Sequence, residues 1–178
     1  MKNWKTIKSK IAFKCKYFKV LEEDFETPSG GKYDKYYILK GKDYVIVIAK
    51  KGNYFYFVEQ YRYTIKSKLL ATVAGAIEKG EKPFAVAKRE LKEETGITAK
   101  KIRKLGWFYS NYGKSNQKAH VFLAEDLKFG EQEPDDLERE GEIKMRKLKI
   151  SEVKEMIKSG KIKDRDTLSA FCLFMLKC

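Results

Sequence analysis

Apolar and polar residues alternate over residues 8–17, with Lys8, Lys10, Lys14 and Lys16 on one side and Ile11, Phe13, Cys15 and Tyr17 on the other. A period of two is that of a half-exposed strand, not of a disordered basic tail. Pro28-Ser29-Gly30-Gly31 reads as a turn into a strand over residues 33–39. Tyr44-Val45-Ile46-Val47-Ile48-Ala49 is a nearly continuous apolar, β-branched run, as in a central strand buried on both faces. Lys51-Gly52-Asn53 then turns the chain into Tyr54-Phe55-Tyr56-Phe57-Val58, which predicts a hairpin. Over residues 83–95 the period changes. Pro83 suits the first turn of a helix, Phe84, Ala87 and Leu91 share a face, and Gly96 follows as a stop. Further strands are expected over 102–109, 119–124 and 143–148, the last after a polar loop. Two helices close the chain: Ser151 caps the first, which stops at Gly160, and Asp164 or Asp166 caps the second. Strands before, around and after a helix predict a mixed-sheet sandwich of the α/β or α+β class.

The 178 residues make one domain on the loose prior of ~150 residues per domain. Thirty-nine Lys+Arg against 25 Asp+Glu leave a net charge of +14, so an anionic partner is the first expectation. Nucleotide, nucleic acid and acidic surfaces all qualify. The three cysteines, Cys15, Cys172 and Cys178, form no CxxC pair. They argue against a disulfide framework or structural zinc and for a reducing cytoplasmic location. His120 is the only histidine, which disfavours a histidine-based triad or a multi-histidine metal site. The Lys-rich start has no signal-peptide core, and no apolar run approaches the ~18 residues of a membrane span.

The chemistry concentrates in residues 75–97. Glu90, Glu93 and Glu94 stand at i, i+3 and i+4, so their carboxylates crowd one side of the predicted helix. Like charges at that spacing cost ~0.2–0.5 kcal/mol per pair. A hard divalent cation would reverse the sign of that effect. Gly75, Glu81, Arg89, Glu90, Leu91, Glu93, Glu94, Gly96 and Ile97 together fit Gly-x5-Glu-x7-Arg-Glu-aliphatic-x-Glu-Glu-x-Gly-aliphatic without a departure. At about 7% per specified position, the seven identities would coincide by chance roughly once in 10^8 windows.

That pattern is the Nudix box, and the chain resembles a Nudix hydrolase. The resemblance implies a Nudix α/β/α sandwich, with residues 1–42 as an N-terminal antiparallel extension and 43–178 as the core of a single domain. It also implies hydrolysis of a nucleoside diphosphate linked to another moiety, with Mg2+ or Mn2+. Carried over by position, Glu90 and Glu94 become metal ligands, Glu93 a ligand or the catalytic base, and the Ala74 carbonyl a further ligand. Arg89 and Glu81 support them, and Gly75 opens the box.

Beyond the box the chain is most similar to ADP-ribose pyrophosphatases. The stretch Val58-Glu59-Gln60-Tyr61-Arg62-Tyr63 resembles the strand end whose arginine clamps the diphosphate, which assigns Arg62 and Tyr63 to substrate binding. A planar guanidinium suits bidentate phosphate contact. The branch takes a catalytic glutamate from a late loop; Glu140 and Glu138 are the first candidates, with Glu142 in the same run. In the branch the N-terminal strands build a homodimer and a partner aromatic stacks on the base, for which Trp4, Tyr17 and Phe18 are candidates. Two departures widen the substrate range to other nucleoside diphosphate sugars: Tyr112 stands where the branch has proline, and Ala71-Thr72-Val73-Ala74-Gly75 lacks the usual glutamate. Removal of pyrophosphate from RNA 5′ ends, or nucleic-acid binding without catalysis, are the alternatives that the charge suggests. Three acids at the site argue against a pure phosphate binder, so no specific nucleic acid partner is expected.

Overall fold

The computed structural model of the protein describes residues 3–134 and 142–178. The chain divides into two compact units, residues 1–43 with 109–118, and residues 44–108 with 119–178.

The first unit is an antiparallel sheet of β1 (Lys5–Lys14), β2 (Lys19–Glu26) and β3 (Lys32–Lys40), in that order. β1 stops at Lys14, short of the expected end, because Cys15 begins a turn in which its N–H donates to the Phe18 carbonyl at 2.9 Å. β2 was not expected from its sequence, KVLEEDFE, in which three acids interrupt the apolar pattern. Its register against β1 supplies the reason. Lys5, Lys8 and Lys10 stand opposite Glu26, Asp24 and Glu22, and opposite charges across a ladder stabilise the pairing. Lys10 Nζ lies 2.9 Å from Glu22 Oε1, and the Tyr37 hydroxyl donates to Glu22 Oε2 at 3.0 Å. Lys10 is therefore ion-paired within the sheet, and Lys5 and Lys8 stand opposite acids. Trp4, Tyr33 and Tyr36 gather around Phe25 with ring centroids 5.2–5.5 Å away. Phe18 packs on Phe13, and Tyr17 is exposed.

The second unit carries β4 (Tyr44–Lys51), β5 (Tyr54–Arg62), β6 (Ser67–Ala71), β7 (Val73–Ala76), α1 (Pro83–Thr95), β8 (Ile97–Tyr109), β9 (Lys118–Phe129), β10 (Lys144–Lys149), α2 (Ile150–Lys158) and α3 (Arg165–Lys177). Its sheet runs β10-β5-β4-β9-β8. β4 is parallel to β9 and antiparallel to β5, so the sheet is mixed. The β4–β5 hairpin pairs only near its turn, over Ala49–Lys51. Further along, β7 takes up the edge of β4 and β6 that of β5. Ala74 and Gly75 thereby lie beside Ile46 and Val45, where the two strands part.

Alternation along β4 builds two cores. Val45, Val47 and Ala49 pack with Val86, Ala87 and Leu91 of α1. Ile46 and Ile48 pack with Val153 of α2 and with Ala170 and Phe171 of α3. A central strand buried on both faces between helices is the expected sandwich.

α1 has the expected bounds: Pro83 is at its first turn, and Gly96, at φ +69°, donates its N–H to the Lys92 carbonyl. Its inward face differs from expectation. Phe84 is 45% exposed, and the buried residues are Val86, Ala87, Glu90, Leu91, Glu94 and Thr95. Ser151 does not cap α2. The cap is Lys149, whose N–H donates to Glu152 Oε2 at 2.6 Å. Asp164 caps α3 by accepting from the Thr167 N–H at 2.8 Å. Among the described residues no helix is long and apolar enough to cross a membrane.

Candidate active site

The box helix turns two of its carboxylates inward. Glu90 is 8% and Glu94 3% exposed, one helical turn apart. The Glu90 carboxylate lies directly over Gly75, and a Cβ there would fall far inside contact distance of it. The glycine that opens the box is thus a space requirement of Glu90, the third acid downstream. Arg89 gathers the rest. Its Nη1 is 2.9 Å from Glu90 Oε1 and 2.8 Å from Glu93 Oε2, and its Nη2 is 3.6 Å from Glu81 Oε2. Glu81 Oε2 also accepts from the Glu78 N–H at 2.8 Å, which folds the loop ahead of the helix. Burial opposes the charge on Arg89, but the carboxylates of Glu90, Glu93 and Glu81 outweigh it and hold the guanidinium above its ordinary pKa.

Arg89 is thus shared by three carboxylates, in a place where Glu90 and Glu94 have little water. The set favours a hard divalent cation. Among the described residues no three acidic, histidine or cysteine side chains close around one point.

Arg62 ends β5 and Tyr63 begins a 3-10 turn, Tyr63–Ile65, that leads into β6. Arg62 and Ala74 line one cavity of about 280 Å3. Tyr63 is 76% exposed, with Lys66 Nζ 2.9 Å from its ring centroid. His120 is the third residue of β9 and stands opposite Val45 of β4.

Three features escaped the sequence reading. Thr72, just before the box strand, donates its N–H to Thr167 Oγ1 at 2.9 Å, and the two hydroxyls lie 3.2 Å apart. Thr167 Oγ1 donates in turn to Asp164 Oδ2 at 2.6 Å. This buried chain ties α3 to the entrance of the box across 95 residues. Second, the segment before residue 135 docks on the end of α1: the Glu133 N–H donates to the Glu93 carbonyl at 3.0 Å and Gln132 Nε2 donates to the Glu94 carbonyl. Third, Gly96 and Gly130 approach closely, the Gly130 N–H donating to the Gly96 carbonyl at 2.9 Å. Glu138 and Glu140 lie outside the described residues. Glu142 is 3.7 Å from Lys68 and 3.5 Å from Lys144.

Residues 41–171 match the NUDIX domain model. The chain belongs to the Nudix family. This Nudix hydrolase is 34% identical over 175 residues to the ADP-ribose pyrophosphatase of Bacillus subtilis (strain 168), an alignment that covers 97% of the chain and 93% of that protein. It is 32% identical over 167 residues to the methanol dehydrogenase activator of Bacillus methanolicus, covering 93% of the chain and 89% of that protein. A GDP-mannose pyrophosphatase of Escherichia coli O1:K1 / APEC matches over 101 residues at 31% identity, 57% of the chain and 52% of that protein. The crystal structure of an ADP compounds hydrolase superposes with a TM-score of 0.83 over 98% of the chain and 94% of its own, at 19% identity, a likeness of fold. The protein is a Nudix pyrophosphatase of the ADP-ribose pyrophosphatase branch, and Nudix hydrolases use divalent metal ions.

Proposed function

We propose that this Nudix hydrolase cuts the pyrophosphate bond of ADP-ribose or a related nucleoside diphosphate sugar with Mg2+, releasing a nucleoside monophosphate and a sugar phosphate. The observation that carries the reading is the buried Glu90–Glu94 pair, held by Arg89 and seated on Gly75. The relative at 34% identity over nearly the whole chain, an ADP-ribose pyrophosphatase, supports the substrate.

Glu90, Glu94 and the Ala74 carbonyl would hold the metal, with Glu93 beside them. Bound there, the cation supplies charge neutralisation for the diphosphate and lowers the pKa of water. The residues do the rest. Arg62, at the strand end, binds the diphosphate in ground and transition state alike, and Tyr63 flanks it. Arg89 keeps Glu90 and Glu93 in fixed rotamers, so no reorganisation is needed as charge develops. A glutamate takes the proton of the attacking water. Glu93 is committed to Arg89 at 2.8 Å, which favours Glu140 or Glu138. Earlier in the chain, Glu133 and Gln132 are bonded to the Glu93 and Glu94 carbonyls.

The protein works as a cytoplasmic homodimer in this reading. Ile7, Ile11 and Phe13 on β1 are each more than half exposed, an apolar row that a second copy would cover. Three free cysteines suit a reducing compartment.

Incubation with ADP-ribose and Mg2+, with products resolved by mass, tests the reading. AMP and ribose 5-phosphate are expected in equal amounts. Absence of turnover on ADP-ribose, ADP-hexoses and GDP-mannose would contradict it.

A further inference from the structure

β6 and β7 pair with different strands, and a single residue joins them. Ala71 ends β6 opposite Val58 of β5, and Val73 begins β7 opposite Val47 of β4. Thr72 makes the crossing, so its position sets where β7 lies along β4. Two parts of the site travel with β7: Ala74, opposite Ile46, and Gly75, the seat of the Glu90 carboxylate. Thr72 and Thr167 are both buried. Thr167 Oγ1 gives its one proton to Asp164 Oδ2 at 2.6 Å. Toward Thr72 it only accepts, from the N–H at 2.9 Å and from the hydroxyl at 3.2 Å. One donated and two accepted bonds fill the capacity of a hydroxyl. Thr167 is itself a fixed point. Asp164 also accepts from its N–H at 2.8 Å, which caps α3. One turn on, Phe171 stacks on Phe57 with centroids 5.7 Å apart and meets Phe55 edge-on at 4.9 Å. The helix that holds Thr72 is thus seated on β5, and Ala170 and Phe171 pack with Ile46 and Ile48 of β4.

We propose that Thr167 is a positioning residue for the metal site: by clamping the crossing at Thr72 it fixes the Ala74 carbonyl and the Gly75 seat of Glu90. The inference rests on the pyrophosphatase reading above, in which Ala74 and Glu90 hold the cation. Changing a residue that orients metal ligands typically costs about 10–100-fold in metal affinity or activity. Thr167 acts through backbone, and Thr72 precedes Ala74 by two residues, so its effect belongs near the lower end of that range. A bond that only stabilised the fold would behave differently. Its loss would affect the metal no more than any other destabilising change in the same core.

The test measures Mn2+ binding to the full-length protein without substrate, from the loss of the free-ion electron paramagnetic resonance signal. The rate on ADP-ribose against Mg2+ is followed in parallel. Thr167→Val keeps the shape and deletes all three side-chain bonds. Its Mn2+ Kd is expected to rise about five- to tenfold. The Mg2+ concentration for half-maximal rate should rise with it, while KM for ADP-ribose at saturating Mg2+ stays within about twofold. Thr167→Ser keeps the bonds and should bind Mn2+ within about twofold of wild type. Thr72→Val deletes only the hydroxyl bond and should shift Kd the same way by about two- to threefold, which carries the test if Thr167→Val does not fold. Val153→Ala, a cavity on α2 in the same core, is the control; it should melt lower and leave the Mn2+ Kd unchanged. An unchanged Kd in the folded valine variants, or an equal shift in Val153→Ala, would overturn the positioning role and leave the pyrophosphatase reading standing. A wild type that neither binds Mn2+ nor cleaves ADP-ribose would sink both.

Discussion

The carboxylate of Glu90 rests on the Cα of Gly75, fifteen residues earlier in the chain, with no room for a Cβ between them. Gly75→Ala must therefore displace the carboxylate or part β7 from α1. Overpacking of this kind costs about 1–3 kcal/mol, and a metal ligand moved by ~1 Å costs about 10^2-fold in rate. The variant is expected to melt lower and to need more Mg2+ for half-maximal turnover. A Mg2+ dependence identical to wild type would show that Glu90 does not need its seat.

Thr167 holds the entrance to the box from the far side of the sequence. Thr167→Val removes the acceptor of the Thr72 N–H and leaves that buried donor unsatisfied, which costs about 1–3 kcal/mol. Urea unfolding should report that loss, and Thr167→Ser should recover most of it. A Val variant as stable as wild type would mean that the Thr72 N–H finds another partner.

What the sequence could and could not disclose follows from range. The box helix was legible to the residue because its signals are local: Pro83 at the start, Gly96 at the stop and a period of 3.6 between them. β4 was legible because a run of Val and Ile has few other fates. β2 was not, since its acids make a strand only against the lysines of β1. β6 and β7 were missed for the same reason, each being a short filler of the gap between β4 and β5. The spacing of the acids was plain, but their burial was not. Sequence placed them together on one side of the helix, and the structure turns Glu90 and Glu94 inward with Leu91. The Thr72–Thr167–Asp164 chain spans 95 residues and left no local signal at all.

Glu59 and Arg146 join β5 to the edge strand β10 at 2.6 Å. The hydrogen bond from Arg146 holds the Glu59 carboxyl below the usual carboxylate pKa. A lowered folded pKa contributes stability that is present above the ordinary value, near 4.5, and lost as pH falls through the lowered one. The difference in melting temperature between wild type and Glu59→Gln should be largest at neutral pH and shrink below about pH 4.5. A difference that persists unchanged at pH 3 would exclude the ion pair as its source.

The proposed base is Glu140 or Glu138 rather than Glu93, because Glu93 is already engaged by Arg89. Glu140→Gln, or Glu138→Gln, should lower kcat about 10^2-fold with little change in Mg2+ affinity. Glu93→Gln should instead change the Mg2+ dependence. Full kcat in both the Glu138 and Glu140 variants, with loss in Glu93→Gln at every Mg2+ concentration, would move the base onto the helix.

The central claim is that the inward pair on α1 is a divalent metal site at which a diphosphate is cut. Its most direct test is the rate of ADP-ribose hydrolysis against Mg2+ concentration for wild type and Glu94→Gln, both checked for intact fold by circular dichroism. Glu94→Gln removes one buried charge and little volume, so the account predicts a folded protein that turns over at least ~100-fold more slowly and saturates only at higher Mg2+. A near-wild-type rate at saturating Mg2+ would contradict it.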